Sequence, residues 1–205
     1  MNQEPAIFLV DDDEGMRQSL EFILANVGAS VVSHSSPAGL LAEYDVNRPG
    51  CLVLDLQLPQ MSGMELWSRL RSRGGHHPCI IITGHGSIPE AVEAIQEGAV
   101  DFLEKPFQQD KLVDCVRSAL AEDKRAREIR VRHEALERLL STLTPRERQV
   151  LDLVLDGLLS KQIARELGIT AKTVEVHRSN VTRKMGVSSV AQLFKVMNDL
   201  VSATS

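Results

Sequence analysis

Acidic, hydroxyl and amine side chains collect where short apolar runs of this chain end. Asp11, Asp12 and Asp13 follow the run AIFLV, Asp55 ends CLVLD, Thr83 ends CIIIT, and Lys105 follows VDFLE. Crowded carboxylates repel one another unless a cation neutralises them. A few hard oxygen ligands with room for water suit Mg²⁺, and a lysine with a hydroxyl opposite the metal suits the oxygens of a phosphoryl group.

The apolar runs predict the strands that would position these side chains. Five β-branched runs, separated by helical patterns, lie at 6–10, 29–34, 51–55, 79–83 and 100–104. This alternation predicts an α/β fold, a doubly wound five-stranded parallel sheet with helices on both faces. Ligands of such sheets lie beyond the carboxyl ends of the strands. The helix dipole could account for Asp11–Asp13 alone, but not for the polar ends of three other strands.

The segments between these strands predict five helices, which carry apolar residues at helical spacing. The second begins at the N-cap Ser36 and Pro37, and the fourth contains Ala91, Val92 and Ile95 and ends at Gly98. The fifth continues into a highly charged segment, 118–140, which is typical of a solvated helix. A partial coiled-coil seam of fewer than three heptads could also form from Ile129, Leu136, Leu139 and Leu140.

The last 64 residues predict four short helices and no strand. Thr144 caps the first in a capping-box pattern with Glu147, Ser160 begins the second, and Thr170 caps the third. The second and third have the spacing of a helix-turn-helix that places one helix in a DNA major groove. Residues 160–195 carry seven bases and two acids. That surplus favours DNA over the alternative, a helix hairpin for protein contacts.

The third of these helices has two faces of different character. Val174, Val181 and Met185 are predicted to face the bundle. An outward face carries Lys172, Val176, Ser179 and Arg183, and an exposed valine among polar residues suits contact with a thymine methyl group.

Charge and composition limit the other classes of protein. The whole chain carries a net charge of −5, which alone argues against nucleic-acid binding. Residues 1–120, however, carry 17 acids and 8 bases, and residues 121–205 carry 11 acids and 15 bases. This split predicts two units with different partners. The apolar runs are too short to span a membrane, the N-terminus lacks the pattern of a secretory signal, and three widely spaced cysteines are typical of core thiols in a cytoplasmic protein.

The first 120 residues resemble a CheY-like receiver domain of two-component response regulators. The matching segments are VDDD at 10–13, VLDLQLPQMSG at 53–63, ITGHG at 82–86 and DFLEKPF at 101–107. The resemblance implies the strand order 2-1-3-4-5 and a sensor histidine kinase that phosphorylates Asp55. It implies Mg²⁺ held by Asp12, Asp55 and the Gln57 carbonyl, with Asp11 contributing through water and Asp13 outside the first shell.

The same resemblance implies roles around the phosphoryl group. Lys105 would be its counter-charge and share the catalytic work with Asp55, and Lys105–Pro106 would be a cis peptide. Thr83 would move its hydroxyl onto the phosphoryl group, and Phe102 would follow inward as a switch, unless it is a plain core aromatic. Gly84 would leave space beside the site.

The C-terminal segments LTPRERQVL, SKQIARELGIT and TVEVHRSNVTRKMG resemble the LuxR-type helix-turn-helix of NarL/FixJ regulators, and details favour the FixJ branch. By position, the residues expected at bases or adjacent phosphates are Lys172, Thr173, Val176, Arg178 and Ser179. Those expected at phosphates are Lys161, Arg183 and Lys184. Glu175 departs from members that carry lysine there, so it either reads a cytosine amino group or faces a base such as Arg178.

Together these features predict a phosphorylation-activated transcription factor with a receiver at 1–120, a helical linker at 121–141 and a DNA-binding domain at 142–205, its helix-turn-helix at about 160–185. Phosphorylation would promote a receiver homodimer that binds double-stranded DNA and activates promoters, with RNA polymerase as a further partner and no membrane contact. Before phosphorylation, the protein would be closed, with the DNA-binding face partly buried against the other domain, or extended, with the long helix at 118–140 holding the two domains apart. Two rival hypotheses are a Mg²⁺-dependent phospho-aspartate phosphohydrolase and a phosphorelay protein that acts through protein contacts only.

Overall fold

Five parallel strands form the sheet of the N-terminal half. In a computed structural model that describes residues 3–84, 92 and 94–201, β1 spans Ala6–Val10, β2 Ser30–His34, β3 Gly50–Asp55, β4 Cys79–Thr83 and β5 Asp101–Glu104. Their order is β2-β1-β3-β4-β5, and every pair is parallel. The predicted sheet is confirmed, and no strand end differs from its predicted position by more than one residue.

The pairing register brings the carboxyl ends of four strands to one edge of the sheet. Val10 pairs with Leu54, Asp55 with Ile82, and Thr83 with Glu104. Asp11, Asp55, Thr83 and Lys105 therefore follow one another along this edge, as the strand pattern predicted.

Helices pack on both faces of the sheet. On one face lie α2 (Pro37–Glu43) and α3 (Gly63–Ser72), and on the other lie α1 (Glu14–Leu24) and the first half of α4 (Gln109–Ser141). Because successive residues of a strand point to opposite faces, β1 gives Phe8 to the first layer and Ile7 and Leu9 to the second. The side chain of Ser36 caps α2 by accepting a hydrogen bond from Gly39 N, as predicted.

Most of the predicted helix around Ala91, Val92 and Ile95 lies outside the described residues. Residues 92 and 94–96 are helical, and the segment ends at Gly98 with φ 93°.

All three cysteines are free thiols. Cys51 and Cys79 are buried in the sheet, and Cys115 is partly buried on α4. Burial raises the pKa of the Cys51 thiol to about 12, so this group remains protonated at neutral pH. These positions agree with the expectation of reduced core thiols.

The chain divides into two compact units, Met1–Ala126 and Arg127–Ser205, and the division falls inside α4. The predicted linker, 121–141, is therefore shared between them. In the first unit, the buried carboxylate of Asp123 accepts a hydrogen bond from Gly50 N at 2.9 Å. In the second, Leu136 is buried against Leu151 and Val181.

The C-terminal unit contains the four predicted helices after the end of α4. They are α5 (Pro145–Leu155), α6 (Ser160–Leu167), α7 (Ala171–Lys184) and α8 (Val190–Val201). The Thr144 and Thr170 side chains cap α5 and α7, and Gly168 takes the left-handed conformation (φ 64°) between α6 and α7. Glycine is favoured at such a turn because it lacks the Cβ that disfavours positive φ. Over the described residues, no helix has the length and apolar character needed to cross a membrane.

Candidate functional site

Three carboxylates form a cluster at the carboxyl ends of β1 and β3. One oxygen from each of Asp11, Asp12 and Asp55 lies within 4.8 Å of the others. Asp11 and Asp55 are buried, whereas Asp12 is exposed. Asp13 does not belong to this cluster, because its side chain caps α1 by accepting a hydrogen bond from Met16 N at 2.8 Å. The arrangement is an acidic pocket with one side open to solvent.

Lys105 joins the two buried carboxylates. Its Nζ lies 2.9 Å from Asp11 Oδ2 and 2.6 Å from Asp55 Oδ2. Burial raises the pKa of Asp11 above its ordinary value, against the opposing hydrogen bond from Lys105. Burial alone would lower the pKa of Lys105, but its hydrogen bonds to Asp55 and Asp11 outweigh burial and raise that pKa. The ammonium group therefore stays charged and offsets the repulsion between the two acids.

Two contacts fix the backbone where β3 ends at Asp55 and the following loop begins. Gln57 N donates a hydrogen bond to Asp55 Oδ1 at 2.9 Å, while the Gln57 side chain is exposed. Gly63 begins α3 so close to this loop that an added Cβ would lie 2.3 Å from the Asp55 carbonyl oxygen. Any larger residue at this position would have to displace the backbone at the end of β3.

Sequence reasoning missed Gly63 as a support of this site, and it also missed Arg17. Arg17 Nη1 donates to the Asp11 carbonyl oxygen at 2.9 Å and so holds the backbone between two acids of the cluster. A basic residue in the first part of α1 is the only sequence signal for this role, and the helix dipole disfavours a cation there. The close approach of Gly63 depends on the tertiary path of the chain and has no local signal beyond glycine itself.

The remaining predicted residues of this site lie at the ends of β4 and β5. Thr83 is fully buried, and an added Cβ on the exposed Gly84 would meet nothing within 4 Å. Phe102 is partly buried against the layer formed by α2 and α3. The peptide bond between Lys105 and Pro106 is cis, as predicted. The structure therefore brings Thr83, Gly84 and Lys105–Pro106 to the carboxyl edge of the sheet, whereas Phe102 lies inside β5, opposite Ile81.

A second candidate site is the outer surface of α7. Val174, Val181 and Met185 are buried in the unit, whereas Lys172, Val176, Ser179 and Arg183 are exposed. Val176 keeps 54% of its surface accessible, so it places an apolar group on an otherwise polar face. The predicted division of this helix into an inner and an outer face is confirmed.

Three predicted contact residues of this unit make internal contacts. Arg178 Nη1 donates to Ser160 Oγ at 3.1 Å and so joins α7 to the start of α6. Thr173 is partly buried and hydrogen-bonds the capping Thr170. Lys184 Nζ lies 2.7 Å from Glu147 Oε2. Lys161, by contrast, is exposed at the start of α6.

Glu175 is exposed on α7. Within the described part of the chain it takes part in no salt bridge. The guanidinium of Arg178 turns instead to Ser160, so the structure favours neither internal pairing nor burial for this carboxylate.

The carboxyl group of Glu147 is more acidic than an ordinary glutamate. The hydrogen bond from Lys184, followed by that from the Thr144 backbone N–H, lowers the pKa of Glu147 from 4.5 to about 2. Because the folded pKa is below the unfolded one, the ionised carboxylate stabilises the unit above pH 4.5, and this stabilisation is lost as the pH falls towards 2.

We therefore expect the Glu147→Gln variant to show a weaker acid-induced loss of stability than the wild type in this pH range. Thermal unfolding followed by far-UV circular dichroism at each pH measures the effect. Trp67 is the sole tryptophan and lies in the N-terminal unit, so its fluorescence serves as an internal control that Glu147→Gln should leave unchanged. An identical pH dependence of the dichroism transition in both proteins would contradict the expectation.

Family models match both halves of the chain. The response regulator receiver domain matches residues 7–117, and the luxR family of bacterial regulatory proteins matches residues 141–197. The chain is 41% identical to the transcriptional regulatory protein FixJ of Azorhizobium caulinodans, over 96% of this chain and 93% of the relative. It is also 41% identical to the response regulator protein TodT of Pseudomonas putida, over 95% of this chain and 86% of the relative.

Two solved structures are also similar to this chain over nearly its full length. The response regulator StyR superposes with a TM-score of 0.85 at 40% identity, covering 96% of this chain and 99% of that one. Full-length FixJ from B. japonicum gives a TM-score of 0.59 at 38% identity, covering 95% of this chain and 96% of that one.

The fold and the acidic site thus define a two-component response regulator with a receiver and a LuxR-type DNA-binding domain. The chain belongs to the NarL/FixJ family of these regulators and is FixJ-like. It is a phosphorylation-dependent regulator of transcription, which implies a kinase and DNA as its partners.

Proposed function

We propose that a sensor histidine kinase transfers a phosphoryl group to Asp55 and that this transfer promotes promoter binding. The pair of carboxylates bridged by Lys105 carries the proposal. The donor set fits Mg²⁺, because three carboxylate oxygens lie within 4.8 Å of one another and one side of the pocket is open. Asp11, Asp12, Asp55 and the Gln57 carbonyl would hold the ion, with Asp11 acting through water. When bound, Mg²⁺ supplies charge neutralisation during phosphoryl transfer.

The residues of the pocket have distinct parts in this transfer. An Asp55 carboxylate oxygen attacks the phosphorus in line, and the bond from phosphorus to the kinase histidine nitrogen breaks, leaving that nitrogen with the electron pair. The Gln57 N–H holds Oδ1 and Lys105 holds Oδ2, so the nucleophile is fixed before attack. The new group adds about one negative charge to the pocket, and Lys105 then acts as its counter-charge.

The buried hydroxyl of Thr83 and the ring of Phe102 form the proposed switch. Thr83 ends β4 and Lys105 follows its neighbour β5, so a phosphoryl group on Asp55 would draw the Thr83 hydroxyl towards it as a further donor. Phe102 would follow inward into the space that Thr83 vacates. Gly84, where an added Cβ would meet nothing within 4 Å, would leave space beside the site for water or a phosphodonor. We assign the resulting change to the surface formed by β5 and the segment before it.

That surface is the proposed homodimer interface. Val92 and Ile95, which precede β5, keep 47% and 50% of their surface accessible. Removing such apolar area from water favours association. Dimerisation presents two DNA-binding domains to paired half-sites. We propose that the dimer acts in the cytoplasm, where it binds promoters, and that it activates transcription through contact with RNA polymerase.

The outer face of α7 is the proposed reading surface for double-stranded DNA. Lys172, Val176 and Ser179 are exposed on it, and Val176 suits a thymine methyl group. The residues proposed at bases or adjacent phosphates also include Thr173 and Arg178. Arg178 hydrogen-bonds Ser160 beside Lys161, so these two cations would meet the phosphates near the start of α6, and Arg183 would meet a phosphate farther along α7.

The test compares DNA binding and molecular mass with and without phosphorylation. Acetyl phosphate and Mg²⁺ serve as the phosphodonor mixture, and a pool of genomic fragments from the source organism serves as the DNA. We expect phosphodonor to shift the protein from monomer to dimer in analytical ultracentrifugation and to strengthen binding in a gel-shift assay. Failure to bind any fragment in either state would contradict the DNA-binding function and favour a relay acting through protein contacts. Steady turnover of phosphate esters would favour the phosphohydrolase.

A further inference from the structure

The ammonium group of Lys184 is engaged inside the C-terminal unit. Its Nζ donates to Glu147 Oε2 at 2.7 Å and to the Thr142 carbonyl oxygen at 2.9 Å. The side chain of Lys184 is 26% exposed and that of Glu147 only 5%. Two of the three hydrogens of this ammonium group are therefore used before any DNA is present.

Glu147 lies where three helices of the unit meet. Its Oε2 also accepts a hydrogen bond from Thr144 N at 2.8 Å, and Glu147 N donates back to Thr144 Oγ1 at 3.3 Å. This capping box starts α5, Thr142 directly follows α4, and Lys184 ends α7. The Glu147 carboxylate thus joins the last turn of α7 to the start of α5, and the Lys184 ammonium group joins the same turn to the end of α4.

The neighbouring residue, Arg146, holds the other helix of the helix-turn-helix. Its Nη2 donates to the carbonyl oxygen of Leu167, the last residue of α6, at 2.6 Å. A cation at this end satisfies an unpaired carbonyl and interacts favourably with the helix dipole. Residues 146 and 147 therefore attach the C-terminal ends of α6 and α7 to the start of α5.

We infer that Glu147 and Lys184 are positioning residues, which set the angle at which α7 meets DNA, and that Lys184 is not a phosphate ligand. This inference rests on the proposed DNA-binding function. A buried carboxylate that loses its cation is strongly destabilised, so the amine of Lys184 stays on Glu147 when DNA binds. The pair acts on DNA through the placement of Lys172, Val176 and Ser179.

The test uses the full chain, a genomic fragment selected by the wild type, and a scrambled fragment of the same length. Affinity for both is measured over a range of salt concentrations for Lys184→Met, Glu147→Gln and the double variant. Lys172→Met is the matched control, since Lys172 is an exposed lysine on the same helix. Losing one phosphate contact reduces the slope of log affinity against log salt by about 1.

For the two single variants we expect weaker binding to the selected fragment, unchanged binding to the scrambled one and a wild-type salt slope. The double variant should bind no more weakly than the worse single variant, because both changes remove one interaction. Lys172→Met should lower the slope by about 1. Since a single variant could fail to fold, Glu147→Met with Lys184→Met replaces the ion pair by apolar side chains, which buried sites often tolerate. Its salt slope should equal that of the wild type.

Two results would overturn the inference. A slope reduced by about 1 in every variant that lacks Lys184, with Glu147→Gln binding as tightly as the wild type or more tightly, would identify Lys184 as a phosphate ligand. Folded variants with lower thermal stability but wild-type discrimination between the two fragments would show that the pair serves stability alone. If the wild type binds the selected and the scrambled fragment equally, the proposed DNA-binding function fails, and this inference fails with it.

Discussion

Replacing Asp55 with asparagine should abolish phosphoryl transfer to the chain and make its DNA affinity insensitive to acetyl phosphate. An amide is not a nucleophile towards phosphorus, whereas the Asp55 carboxylate is held in place by Gln57 N and Lys105. The asparagine side-chain oxygen can still accept the hydrogen bond from Gln57 N, so the loop should keep its conformation. Intact-protein mass spectrometry after incubation with acetyl phosphate and Mg²⁺ measures the transfer, and a gel-shift assay measures the DNA response.

Asp13→Asn is the matched control for this variant. Asp13 is also an aspartate at the same edge of the sheet, but its side chain caps α1 and lies outside the acidic cluster. Asparagine caps helices about as well as aspartate, so this variant should accept phosphate as the wild type does. A phosphoryl group found on Asp12 or Asp13 of the Asp55→Asn variant, with an intact DNA response, would show that Asp55 is not the acceptor.

The same geometry explains why Lys105 has to lie between two acids. Asp11 and Asp55 are both buried, and two buried carboxylates without a cation would repel each other. The ammonium group of Lys105 offsets this repulsion. If Asp55 is phosphorylated as proposed, the same ammonium group lies beside the added negative charge and would serve both the resting pocket and the phosphorylated one.

The sequence predicted the position of the acidic pocket well because the pocket follows from strand ends. Once the apolar runs define parallel strands, the register brings Asp11, Asp55, Thr83 and Lys105 to one edge. Arg17 and Gly63 escaped prediction because each acts on the backbone, and no side-chain pattern records a contact with the carbonyl oxygen of Asp11 or Asp55.

The positive charge of α7 predicted the roles of its lysines less well than the strand order predicted the acidic pocket. Lys172 and Lys184 both appear in the sequence as cations of a basic helix, yet Lys172 is exposed and Lys184 pairs with Glu147, 37 residues away in the chain. Sequence spacing within a helix predicts which face a residue lies on, but the partner of a residue at the border of two faces depends on tertiary packing. For this reason the sequence did not indicate that Lys184 pairs with Glu147.

The leucines of α4 show the same limit. Leu136, Leu139 and Leu140 fit a partial coiled-coil seam in sequence. In the structure, Leu136 is 6% exposed within a core cluster with Leu151, Val181, Met185 and Leu193, and Leu140 packs against that cluster. Leu139 remains 37% exposed. The end of the predicted linker therefore belongs to the hydrophobic core beneath the DNA-reading helix.

We accordingly expect Leu136→Ala to destabilise the C-terminal unit by about 2–5 kcal/mol, the range for removing a buried leucine side chain from a packed core. Leu139→Ala, three residues away on the same helix, should change stability by no more than about 0.5 kcal/mol, as surface substitutions usually do. Denaturant unfolding followed by far-UV circular dichroism measures the difference. Fluorescence of Trp67 reports on the receiver, and its transition should be the same in both variants.

Equal effects of the two substitutions, or a shift of the Trp67 transition in Leu136→Ala, would contradict the assignment of Leu136 to the C-terminal core. The expected result has a consequence for DNA binding, because the core cluster that contains Leu136 also contains Val181, on the inner side of α7, and Met185, which caps that helix. A cavity beneath that side would loosen the helix whose outer side carries Lys172 and Val176. Leu136→Ala should therefore weaken binding to the selected DNA fragment under conditions where the variant remains folded, while Leu139→Ala binds as the wild type does.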